Sequence, residues 1–212
     1  MVAKIISRII KSVLSKHISE EQFGFLEGRH IHKAIKVALE GLHNLKTKKM
    51  KGAILKIDVD KAYDKVSWLY IQLLLTHLGF NIGFIRWIMS YISTISFFVL
   101  VNGATSPFFH SERGLQQGCL LSPLLFLLVA EGPSRAISEA KRQGSLRGIQ
   151  ISPELQITHL LSVDDVLIFY PGSLEDAVKL REILDLFSRA TRMEINVRKF
   201  MLTTNLLSEE EM

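Results

Sequence analysis

A chain of 212 residues, 48% of them hydrophobic, is long enough to bury a core in one or two domains without staples. Its single cysteine, Cys119, excludes an intramolecular disulfide and gives no sign of a secreted scaffold, while a net charge of +5, from 26 basic and 21 acidic residues, favours phosphate backbones only mildly and fits a solvated mixed-sign surface equally well. The longest uncharged apolar stretch, Leu120 to Ala130, falls well short of the roughly 20 residues that span a bilayer, so no membrane span is expected and an intracellular place is the default.

No repeat, low-complexity tract or linker interrupts the chain, which reads as one continuous unit. Residues 3 to 17 are expected to form a helix, since their apolar residues recur at helical spacing and Lys4, Arg8, Lys11 and Lys16 leave no signal-peptide core. A second helix is predicted from about His32 to Lys46. Gly52 to Asp58, GAILKID, reads as a buried strand that delivers Asp58 to a sheet edge. Ser67 caps a helix through WLYIQLLLTHL that stops at Gly79, and another runs from about Gly83 to Ser93.

Residues 95 to 101, ISFFVLV, then read as one strand. Asn102 and Gly103 form the next turn, with SPFFH as the return strand. Ser122 is expected to cap a long helix with Pro123 at its first position. Pro133 lies in that helix and predicts a kink or break near Val129 to Gly132, because an interior proline costs about 3 kcal/mol. Ile157 to Tyr170 suits two strands joined by a tight turn at Val163-Asp164-Asp165. Ser173 opens a last helix to about Ala190, and short strands near 193 to 196 and 200 to 204 end the chain.

A lone Asp58 at a strand end is usually a turn former. The pair Asp164-Asp165 differs, because adjacent carboxylates at the tip of an apolar hairpin repel each other and call for a cation. Hard oxygen donors select Mg²⁺ or Mn²⁺ over zinc, for which the chain has no Cys/His cluster. Two such ions held between two strands suit in-line phosphoryl transfer.

KIDVDKAYDKVSW, GLQQGCLLSPLLFLLVAE and HLLSVDDVLIFY stand in the order and spacing of motifs A, B and C of the reverse-transcriptase palm, which the chain therefore resembles. Upstream, QFGFLEGRHIHKAI is similar to a fingers segment of LINE-type enzymes, and downstream RMEINVRKF is similar to motif D. GCLLSP and LVAEG point to the non-LTR branch, most of all the plant elements. The implied fold is α+β, a polymerase palm in which helices back an antiparallel sheet, with partial fingers over residues 1–50, palm over 51–212 and no thumb.

Residue by residue, the resemblance implies that Asp58 is the first motif A carboxylate and that Asp164 and Asp165 are the motif C pair, with Asp58 and Asp164 as main ligands of two Mg²⁺ or Mn²⁺ ions. Tyr63 matches the aromatic steric gate that excludes a ribose 2′-OH. Gln117 and Gly118 match the motif B turn against the incoming nucleotide and template. Lys199 matches the motif D lysine that would protonate pyrophosphate, and Arg29 would touch template phosphate or stabilise its own turn.

The implied reaction is RNA-directed DNA polymerisation, the transfer of a deoxynucleotide from its triphosphate to the 3′-OH of a DNA primer on an RNA template, in the nucleus by family. Because Met1 falls inside the fingers and the chain stops after motif D, a truncated remnant with weak or no activity is expected. A non-catalytic nucleic-acid-binding module derived from the palm is the alternative.

Several positions depart from the family pattern. Ser162 replaces an aromatic beside the Asp pair and is expected to leave a cavity if buried. Gln116 and Leu120 stand for Arg and Pro in motif B, and Arg192 for Gly in motif D. Asp60 and Asp64 are read as ordinary charges of a loop and helix start, and Phe97, Phe98, Phe108 and Phe109 as core residues rather than a base-stacking platform.

Overall fold

A computed structural model describes residues 2–48, 52–153, 155–195 and 201–204. Two helices open it, α1 (Val2–His17) and α2 (Ile31–Thr47), followed by strand β1 (Ala53–Asp60) and helices α3 (Ala62–Lys65), α4 (Trp68–His77) and α5 (Ile82–Ser93). A ribbon of two-residue strands comes next, β2 (Ser96–Phe97), β3 (Leu100–Val101), β4 (Ala104–Thr105) and β5 (Phe109–His110). The long helix α6 (Ser122–Arg142) leads to β6 (Ile149–Gln150), β7 (Gln156–Ile157), β8 (His159–Ser162) and β9 (Asp165–Tyr170). Helix α7 (Leu174–Thr191) and strands β10 (Glu194–Ile195) and β11 (Met201–Thr204) complete the described chain.

The main sheet is antiparallel, with β1 flanked by β9 and then β8 on one side and by β10 and β11 on the other. β1 is thus central. It continues two residues past Asp58, so Asp58 sits inside a paired strand rather than at the sheet edge expected from the sequence. Asp60 likewise ends this strand instead of lying in a loop.

Helix α6 packs against α1, α4, α7 and β8. Every residue from Leu124 to Glu131 is buried, as for a helix apolar on all sides. That packing carries α6 through Pro133 as one helix, so that of the kink or break expected there the break is absent. The magnitudes account for the result, because one interior proline costs about 3 kcal/mol while each fully buried Leu or Phe contributes about 1.5–3 kcal/mol. The start of α6 shifts by one residue as well, with Leu121 at the N-cap and no side-chain cap, so that Ser122 is already helical. The Leu121 N–H donates instead to the Cys119 sulfur at 3.3 Å.

Two smaller caps also differ. Ser67 stands at the N-cap of α4 without a side-chain bond, whereas Asn81, which the sequence reading passed over, accepts from the Gly83 N–H to start α5. Ser173 caps α7 as expected, accepting from the Asp176 N–H.

The single strand expected over residues 95 to 101 is split. β3 pairs with β4 across the Asn102-Gly103 turn, and β2 pairs with β5, with Phe98 and Val99 between them. Pro107 lies in the returning stretch, where it has no N–H to give a ladder; Val99 exchanges bonds with Ser106 instead. Phe97, Phe98, Phe108 and Phe109 are all exposed, correcting their assignment to the core. They pair with each other, Phe97 with Phe109 at 6.0 Å and Phe98 edge-on to Phe108 at 5.3 Å. A two-stranded ribbon with neither face covered gives its rings no core to enter.

Among the described residues no helix is long and apolar enough to cross a membrane. Ile6, Ile10 and Leu14 of α1 share the main core with α6 and β9, and Ala34 and Leu45 of α2 share a second with Phe169 and Ile149.

Candidate active site

Strand alternation makes the site. On β1, Ile57 and Val59 turn into the core, so Lys56, Asp58 and Asp60 share the other face. Asp58 lies directly opposite Asp165 of β9, and Ser162 of β8 lies opposite Asp165 on its other side. Side chains so placed have Cβ atoms about 4.5–5.5 Å apart. Val163 and Asp164 form the two-residue turn between β8 and β9. Val163 takes φ 62°, a left-handed conformation that a β-branched residue resists at about 1–3 kcal/mol.

Tyr63 of α3 packs against the main core and stands close enough to Asp164 to feel its charge. Its ring stacks on Phe126 of α6 with centroids 4.7 Å apart and planes 18° from parallel. Burial, and then the negative charge of Asp164, push its hydroxyl up to about 12, so it stays a protonated donor at neutral pH. The segment before α6 is tied onto this corner. Leu115 N–H donates to the Tyr63 carbonyl at 2.6 Å, Gly114 N–H to that of Val66 at 2.8 Å, and the Trp68 indole N–H to that of Gly114 at 2.6 Å. At Gly114 a Cβ would stand 2.5 Å from the Asp64 carbonyl oxygen, so only glycine permits this approach.

Gln117 is exposed and its Nε2 donates to Asp64 Oδ1 at 3.3 Å, which gives Asp64 a task beyond a helix-start charge. Gly118 follows at φ 82° with open space over its α-carbon. A groove of about 460 Å³ opens beside Gln117, lined in part by Asp64, Ile92, Phe97 and Arg113.

A family profile described as "Reverse transcriptase (RNA-dependent DNA polymerase)" matches residues 1–210. The chain belongs to the reverse transcriptase family. It is 26% identical over 199 residues to the "Transposon TX1 uncharacterized 149 kDa protein" of Xenopus laevis, covering 94% of this chain and 15% of that protein. It is 28% identical over 129 residues to the "Retrovirus-related Pol polyprotein from type-1 retrotransposable element R2" of Popillia japonica, covering 59% of this chain and 20% of that one. The chain thus spans a fifth or less of these relatives. Its fold is similar to a telomerase of Candida albicans solved with a fragment of telomeric RNA, with a TM-score of 0.71 at 15% identity over 97% of this chain and 35% of that one.

The reverse-transcriptase palm expected from motifs A, B and C, helices backing an antiparallel sheet, is therefore the architecture present, and the relatives are non-LTR retroelement proteins, as GCLLSP and LVAEG implied. The family normally uses two divalent metal ions. The carboxylates of Asp58, Asp164 and Asp165 offer the hard oxygen atoms that such ions take, but among the described residues no three of His, Cys, Asp and Glu gather closely enough to surround one. Asp165 Oδ1 is instead held at 2.9 Å by the Lys56 ammonium.

Lys56 escaped the sequence reading although period-two alternation places it on the face of Asp58. Arg29 gives its guanidinium to its own loop, with Nη1 donating to the carbonyls of Ser19 and, at 2.8 Å, Gln22, and Nη2 to that of Ile18 at 3.2 Å. Ser162 is half-buried and borders an apolar groove of about 340 Å³ between α2 and the sheet. Lys199 lies outside the described residues.

Proposed function

We propose that this chain carries the polymerase centre of a non-LTR retroelement, adding deoxynucleotides to a primer 3′-OH on an RNA template. The observation that carries this reading is the pairing of Asp58 with Asp165 across β1 and β9, with Asp164 at the adjoining turn and beside Tyr63. Asp58 and Asp164 would hold Mg²⁺ or Mn²⁺, with Asp165 freed from Lys56 as a further oxygen donor. When bound, two such ions lower the pKa of the attacking hydroxyl and neutralise the triphosphate.

The chain's own residues do the sorting. Tyr63, stacked flat against Phe126, would exclude a 2′-OH. Gln117, held by Asp64 beside the groove, would meet the incoming nucleotide or the template, with Gly118 letting the backbone come close. Lys199 would protonate the departing pyrophosphate.

The test is primer extension on an RNA template by the purified chain with Mg²⁺. Extension should be lost in Asp58→Asn and Asp164→Asn, while Tyr63→Ala should narrow the preference for deoxynucleotides by roughly 10–100-fold. Extension unaffected by either aspartate substitution overturns the reading.

The ion pair between Lys56 and Asp165 favours a second reading, a nucleic-acid-binding module that keeps the palm without catalysis. Binding to an RNA-DNA hybrid that weakens with salt, persists without Mg²⁺ and survives Asp58→Ala would support it.

A further inference from the structure

We propose that Gln22 is a positioning residue, the clamp that holds the Val163-Asp164 turn and so fixes where the motif C carboxylates stand. The proposal rests on reading those aspartates as a metal site.

Residues 21–23 run along the outer edge of β8. Leu161 N–H donates to the Glu21 carbonyl at 2.8 Å, Phe23 N–H donates to that of Leu161 at 2.9 Å, and Gln22 forms a parallel bridge with Leu161. This lays the Gln22 side chain, 1% exposed, under the turn. Its Oε1 accepts from the Val163 N–H at 3.1 Å and from the Gly24 N–H at 2.9 Å. Both partners are backbone donors, so the amide oxygen must face them.

Three further observations converge on the same contact. Val163 is in a left-handed conformation, and such strain persists only where the surroundings over-determine it. Gly24 is pressed against the turn so closely that a Cβ would stand 2.4 Å from Val163 Cγ2 and 2.9 Å from Val163 N. Gln22 Nε2 is buried with no hydrogen-bond partner among the described residues. A buried orphan donor is a liability that an apolar side chain of the same length would avoid; the amide is there for its oxygen.

Arg29 extends the chain of contacts, since its Nη1 holds the Gln22 carbonyl at 2.8 Å. The loop is buckled by Arg29, the loop holds the turn through Gln22, and the turn carries Asp164. Gln22 touches no substrate; it acts through Val163.

Mn²⁺ binding by the purified full chain, followed by electron paramagnetic resonance, tests this together with amide hydrogen exchange. Gln22→Met should weaken Mn²⁺ binding about 10-fold, as loss of an outer-shell partner does, and should speed exchange at the Val163 amide by roughly 10-fold while leaving the core amide of Ile168 as it was. If Gln22→Met does not melt cooperatively, Gln22→Asn, one methylene too short to reach, takes its place with the same expectation. Asp58→Asn is measured alongside. If Asp58→Asn leaves Mn²⁺ affinity unchanged, the metal-site reading fails, and the Val163 amide alone then judges the clamp. If Asp58→Asn weakens binding but the Gln22 variants match the unsubstituted chain, or if Val163 exchange does not change in them, the clamp is overturned.

Discussion

The hairpin β8–β9 and the ribbon from β2 to β5 are both short antiparallel pairs rich in apolar residues, yet one is buried and the other stands in solvent. Leu160, Leu161, Val166, Ile168 and Phe169 of the hairpin are buried, while Phe98, Leu100, Val101 and Phe108 of the ribbon are exposed. Composition does not separate them. Neighbours do, because β9 is paired by β1 along its whole length and β8 packs under α2 and α6. The ribbon strands pair only with each other. A strand's alternation says which residues share a face, and only the next layer says whether that face is wet.

The sharpest way to break this comparison is truncation at matched aromatic positions. Phe169→Ala, at a residue 1% exposed, should cost about 3–5 kcal/mol in urea unfolding. A loss under about 1 kcal/mol would mean that the hairpin core is not packed as described.

A pH series probes the same hairpin through His159, which is fully buried between Ser134, 2.8 Å from Nε2, and Thr158, 3.0 Å from Nδ1. Burial first, and the positive charge of Lys141 second, lower its pKa from 6.5 to about 4. Above pH 6.5 the ring is neutral in folded and unfolded chains alike and contributes nothing. As pH falls from 6.5 towards 4 the unfolded chain takes up a proton that the folded chain refuses, so stability should drop by roughly 3 kcal/mol across the window. Glu131 opposes this, because burial raises its carboxyl in the folded state and its protonation there favours folding as pH falls. Comparing His159→Gln with the parent chain isolates the histidine, and equal pH slopes in the two would remove it as the cause.

The smallest effect belongs to the ribbon. Phe108→Ala, at a residue 71% exposed, should change stability by no more than about 0.5 kcal/mol, and a larger loss would show that the ribbon is covered in solution.

The same contrast explains what the sequence could disclose. Helices α1, α2 and α7, the β8–β9 turn and the Asn102-Gly103 turn were legible, because each is written in local spacing, a cap or a turn residue. That Asp58 and the Asp164-Asp165 pair stand on neighbouring strands was legible in the apolar runs beside them. That Pro133 does not break α6 was not legible, because its local cost is outweighed by burial that only the assembled layers supply. The ribbon phenylalanines were misread for the converse reason. Within the site, Lys56 against Asp165 and Gln117 against Asp64 join residues far apart in the chain, and Gln22 reaches Val163 across the fold; no local pattern encodes such pairs.

The broken ladder of the ribbon also bears on how this chain behaves in a crowd. ISFFVLV is an uncharged run of strong β-formers, the kind of segment that templates cross-β growth when its edge is straight and continuous. Here the pairing stops after two residues on either side of Phe98 and Val99, and Pro107 interrupts the opposite strand. No incoming chain finds a long row of free backbone groups to copy along this stretch, so rings that lie in water for want of a covering layer also lack the straight edge that would let them aggregate.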